Sequence, residues 1–92
     1  MSKPCPTPRW SVYAALDSER AYQDATSARW QHLGAPSLEA EMLLLEEYLA
    51  EARNQWRTQK GNAEALNSLR KLGGVLVRCF ETYGVQNRAP SQ

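Results

Sequence analysis

Nowhere in the 92 residues does an apolar run approach the roughly 18 that a membrane-spanning helix needs. The opening "MSKPCPTPRW" is equally poor in apolar side chains, so no secretory leader is expected and the chain reads as cytoplasmic. Cysteine occurs only at Cys5, in a proline-rich stretch, and at Cys79, in an apolar one. With no C-x-x-C spacing, that usage excludes a disulfide framework and a cysteine zinc site, and Cys79 reads as a small core hydrophobe. The single histidine, His32, has no cysteine or acid beside it and offers neither a metal site nor an acid–base pair. An excess of one charge is missing too, with eleven Lys and Arg against ten Asp and Glu. The balance removes the electrostatic basis for general binding to nucleic acid or anionic membrane. Also absent are G-x-x-x-x-G-K-[ST], G-x-G-x-x-G, a nucleophile elbow and H-E-x-x-H, and with them the common phosphate-cradling, hydrolase and zincin chemistries.

What is present is helical patterning. Pro4, Pro6 and Pro8 predict a flexible arm over residues 1–9, because each removes a backbone donor and fixes φ. A first helix is expected from Trp10 to Arg29, started either by Thr7 and Pro8 or by Ser11. Gly34 and Pro36 break the pattern, and Ser37 offers an N-cap to a second helix from Leu38, with Glu39 and Glu41 near its positive end. Leu38, Met42, Leu45, Leu49, Ala52 and Trp56 then recur at alternating spacings of four and three, an apolar seam. Gly61 closes this helix and Asn62 caps a third, which carries Leu66, Leu69, Gly73, Leu76, Phe80 and Tyr83 at the same spacings. The two seams are expected to zip together in an antiparallel hairpin. Leu72, Val75 and Cys79 add a second apolar stripe to the third helix, Gly84 suits a C′ position, and residues 85–92 should fray.

The expected fold is therefore all-α, a single helical domain over residues 10–84 in which a shorter N-terminal helix lies across the hairpin as a three-helix bundle. The hairpin's apolar surface exceeds what one short helix can cover, so a core shared in a homodimer or larger assembly is expected. Trp10, Trp30 and Trp56 read as core or interface anchors.

The acids of "LLEEYLAEA" come next. Glu47 and Glu51 are four apart on one helical face, where like charges repel, and carboxylates held that way can grip a divalent cation. Followed about twenty residues later by "RKLGGVLVRC", the segment resembles the two-helix signature of the MazG-like all-α nucleoside triphosphate pyrophosphohydrolases. The resemblance covers roughly residues 38–84 and implies an E-E-x-x-E segment facing an E-x-x-D segment, the four carboxylates holding magnesium for water attack on a triphosphate. Glu46 and Glu47 match the first two acids; the third falls on Ala50, with Glu51 one place late. On the opposing helix the glutamate position is Lys71 and the aspartate position Gly74, and residues 65–80 contain no acid. Two ligands are missing, so the activity does not transfer. "DSERAYQDATSARW" and "CFETYG" are similar to segments of small phage-encoded helical proteins, several with MazG-like relatives, which implies a phage source.

Glu19 and Gln23 interrupt the apolar seam of the first helix, while Arg20 and Asp24 are i,i+4 neighbours. A partly buried polar group must find partners, so either this face is exposed or it forms a polar floor with Glu47 or Lys71 that could receive a ligand. Glu19, Arg20, Gln23, Asp24, Trp30, Glu47, Glu51 and Lys71 are thus the candidates for contact with a ligand or partner. Gly73 and Gly74, inside "RKLGGVLVRCFE", each cost roughly 0.8–1 kcal/mol against alanine in a helix interior. Their use is close helix packing, with Leu76 and Phe80 beside them at an interface. The expected function is a non-catalytic interaction protein of phage origin. It would occupy or sequester a host or phage protein, such as a defence factor, or a nucleotide-like ligand, with no cofactor, catalytic residue or metal ligand. The alternative is a divergent magnesium-dependent pyrophosphohydrolase using Glu46, Glu47 and Glu51 with Glu19 and Asp24 from the first helix.

Overall fold

Pro8 ends the N-terminal arm: its carbonyl accepts the N–H groups of Ser11 at 3.0 Å and Val12 at 3.1 Å, opening α1 (Arg9–Thr26). The start thus falls between the two expected positions, with proline itself flanking the helix. The computed structural model describes residues 6–26, 37–58 and 61–89, so residues 27–29 of the expected first helix, and Trp30 and His32, lie outside the described residues. Ser37 caps α2 (Leu38–Thr58), its Oγ accepting the Ala40 N–H at 3.1 Å. Asn62 precedes α3 (Ala63–Tyr83) without a side-chain capping bond, and its carbonyl accepts the Leu66 N–H. Gly84, at φ 92°, ends α3 by donating to the Phe80 carbonyl at 2.8 Å, a backbone conformation that favours glycine. Among the described residues there is no strand, and no helix is long and apolar enough to cross a membrane.

Helix α3 is the centre of the molecule. It packs against α2 along most of its length and against α1 on another side, while α1 and α2 do not meet. The pairs Glu41–Arg78 and Glu51–Ser68 show that α2 and α3 run antiparallel. This is the expected all-α hairpin with a third helix, but the line of contact differs from the expected one.

The seams zip only in part: Leu45 and Ala52 of the α2 seam lie on the line of contact, but the rest of that seam and the Leu66–Tyr83 seam of α3 do not. Ala65, Ser68, Val75 and Cys79 of α3 are buried, with Leu72 half-buried on the same stripe; opposite them on α2 lie buried Glu41 and Ala52 among half-buried Leu44, Leu45, Tyr48 and Gln55. Small residues at the contact let the helices approach closely, so the second stripe of α3 wins over its longer one. Each residue advances about 100° around a helix, which places Leu66, Leu69, Leu76, Phe80 and Tyr83 about a quarter turn from the contact line. On α2 the same rotation reaches Leu38, Met42, Leu49 and Trp56. Because the helices are antiparallel, equal rotations from the shared contact line bring both sets to one side of the hairpin. The Glu51–Lys71 pair marks the other side. All nine of these apolar residues are exposed.

Candidate functional site

The polar cluster of α1, expected either to be exposed or to form a floor with Glu47 or Lys71, is packed. Glu19 and Arg20 are buried, and they face α3. Glu19 Oε1 accepts from Arg70 Nε at 2.9 Å, and Gln23 Nε2 donates to Glu19 Oε2 at 3.4 Å and to the Lys71 main-chain carbonyl at 3.3 Å. Arg20 forks onto Glu81, with Nε and Nη2 donating at 3.0 and 2.9 Å, while the same Nη2 lies 3.0 Å from Asp24 Oδ1. The polar floor therefore exists, but its partners are Arg70, Glu81 and a backbone carbonyl. Glu47 stands exposed on α2, out of reach of α1, and Lys71 contributes its carbonyl there while its ammonium lies 3.9 Å from Glu51. Two atoms of the cluster, Arg20 Nη1 and Gln23 Oε1, are buried with no hydrogen-bond partner.

Gly73 and Gly74 are the reason α1 can lie so close. A Cβ at Gly74 would stand 2.7 Å from both Gln23 Nε2 and Glu19 Cγ, and one at Gly73 would stand 2.5 Å from Leu16 Cδ2. The glycines thus serve packing within the chain, and of the four expected interface residues only Leu76 and Phe80 remain exposed.

Electrostatics follow from this geometry. The hydrogen bond from Arg20 lowers the Glu81 carboxyl below its usual value of 4.5; burial works against it, and the charges of Arg20 and Arg78 reinforce it. Arg20 is correspondingly raised, by Glu81 first and then, against the cost of burial, by Asp24. On the other side of α3, Arg78 forks onto Glu41, Nε and Nη2 donating at 3.0 and 2.6 Å to a carboxylate only 2% exposed. Ser68 Oγ lies 2.6 Å from Gln55 Oε1 and 3.0 Å from Glu51 Oε1, so its one proton serves whichever acceptor it faces. Sequence reasoning missed Glu41, Ser68, Arg70, Arg78 and Glu81. Their signal is charge or hydroxyl on the packed sides of helices, which becomes legible only when the contact line is known.

The acids do not gather. Among the described residues no three His, Cys, Asp or Glu side chains converge on one point. Glu19 and Asp24 are separated from Glu46, Glu47 and Glu51 because α1 and α2 lie on different sides of α3.

A polar hollow of about 340 Å³ lined by Ser18, Glu19, Tyr22, Arg70 and Lys71 lies over the cluster, and two apolar features of the described residues are open to an outside molecule. One is the apolar face of the hairpin. The other is a groove of about 430 Å³ between α1 and α3, which has Leu76 and Phe80 on its hairpin side and Tyr13, Leu16 and Arg20 on the other, so it continues that face. Trp10 and Trp56, expected as anchors, are 74% and 63% exposed, and Trp56 lies on the face itself. No protein-family model, no curated protein and no solved structure matches this chain.

Proposed function

We propose that this chain acts by association and not by bond chemistry, as a helical interaction protein whose working surface is the apolar face of the α2–α3 hairpin. One observation carries the reading: nine large apolar side chains are exposed on one side of two helices, while small residues and ion pairs take the buried positions. Contiguous apolar patches beyond a few hundred Å² mark interaction sites in soluble proteins. The alternation of four and three along both seams suits another helix, whose side chains would enter the gaps between these.

The acids support a non-catalytic reading. Glu46 and Glu47 face solvent, and Glu51 Oε1 is engaged by Ser68, with the Lys71 ammonium nearby. A ligand set for magnesium would need oxygens where α3 offers the Lys71 ammonium, and Gly74 is turned to α1, against Glu19 and Gln23. The resemblance to small phage-encoded proteins adds a target class, a host or phage protein that the bound assembly occupies without modifying.

Photo-crosslinking tests the reading. A photoreactive side chain placed at position 49 or 69 lies on the face, and one at position 43 or 47 lies off it. In expressing cells, protein adducts concentrated at 49 and 69 are expected; equal labelling at all four positions overturns the proposal.

A further inference from the structure

We infer that the occupant of the apolar face is a second copy of this chain, two hairpins packing face to face about a two-fold axis into one four-helix core. The inference rests on the reading of that face as a docking surface, and three observations select the occupant.

The first is how little core one copy has. Among the described residues the buried apolar ones are Ala52, Ala65, Val75 and Cys79, of which only Val75 is a fully buried aliphatic. A chain so poorly filled needs its partner from the moment it folds, and the one molecule always present at that moment is another copy of itself.

The second is area. At residue areas of about 180–250 Å², the exposed fractions of the nine side chains leave on the order of 800 Å² of surface, what each partner buries in a standard interface. The third is chemistry. No seam position on either helix carries a charge, so like meets like across a two-fold axis without repulsion, and nothing on the seam would select a differently charged partner. Both helices carry the same alternation of four and three, so a facing hairpin supplies the complementary ridges whichever helix it presents. Leu76 and Phe80, shared with the α1 groove, carry the contact toward Tyr13 and Leu16.

Light scattering on the purified full chain tests this. Twice the 10.4 kDa chain mass is expected at micromolar concentration. The double variant Leu49→Glu/Leu69→Glu should fall to the mass of one chain, while Leu43→Glu, off the face, should keep the doubled mass. If the double variant does not fold, the thermal midpoint of the unaltered chain decides: a rise of several degrees over a hundredfold concentration range supports the dimer, and an unchanged midpoint overturns it. A single-chain mass with crosslinks to other proteins at positions 49 and 69 overturns the second copy and leaves the docking surface standing. A single-chain mass with uniform labelling removes both.

Discussion

Glu41 and Arg78 show how charge sits inside this protein. The carboxylate is almost fully buried and meets the guanidinium in a two-pronged bond. Removing one member leaves the other as an uncompensated charge, so Arg78→Met should destabilise by about 3–5 kcal/mol in urea unfolding. Replacing both, Glu41→Leu with Arg78→Met, should restore most of that loss, since a buried ion pair is worth little over well-packed apolar groups; simply additive losses would show that the two do not act as a pair. Glu81 makes a different contribution. Its folded carboxyl titrates below the usual 4.5 because of Arg20, so near that value the folded chain holds fewer protons than the unfolded one. The resulting stability is complete above 4.5 and disappears as pH falls through the folded value. Acid unfolding followed by circular dichroism should therefore be shallower below pH 4.5 in Glu81→Gln than in the unaltered chain, and parallel curves would refute the linkage. Arg20, shifted upward, adds stability that is lost only in strong alkali.

At the level of the helices, the paired glycines decide how α1 docks. Alanine at position 74 would gain roughly 1 kcal/mol in helix propensity. Its Cβ, however, would collide with Glu19 and Gln23, which are held by Arg70 and the Lys71 carbonyl and cannot easily give way. Overpacking should win, with a net loss of about 1–2 kcal/mol in Gly74→Ala by thermal melting. Gly73→Ala meets only the rotatable tip of Leu16 and should be milder; equal losses would contradict this account. The helices themselves were legible in the sequence through their punctuation: Ser37 caps, and Gly84 closes, as their chemistry predicts. Which stripe of α3 faces α2 was not legible, because Leu66–Tyr83 and Leu72–Cys79 both satisfy the helical period. The choice went to Ala65, Ser68 and Cys79, whose small size permits close approach, and that size advantage appears only when two backbones are brought together. The polar floor of α1 was half legible: Glu19 and Gln23 announced a need for partners, but Arg70 and Glu81 are some 50 and 60 residues away and depend on register.

Across the whole molecule, the separation of acids bears on turnover. With α1 and α2 apart, the five carboxylates that the enzymatic alternative requires cannot meet. Pyrophosphate release from a panel of nucleoside triphosphates with magnesium should match a protein-free control, and release abolished by Glu47→Ala would overturn the non-catalytic reading. The same arrangement joins the three helices in series, with α3 as the middle link and, among the described residues, no packing of α1 on α2. Detaching α1 would uncover Gly73 and Gly74 yet leave the Glu41–Arg78 and Ser68 contacts of the hairpin untouched. The first helix should therefore open on its own as a low-energy excursion, and its amides should exchange with deuterium ahead of those in α2 and α3, whereas uniform exchange would mean one cooperative unit. Such a detachable arm would let the chain alter what it displays beside Leu76 and Phe80 while its central pair of helices stays intact.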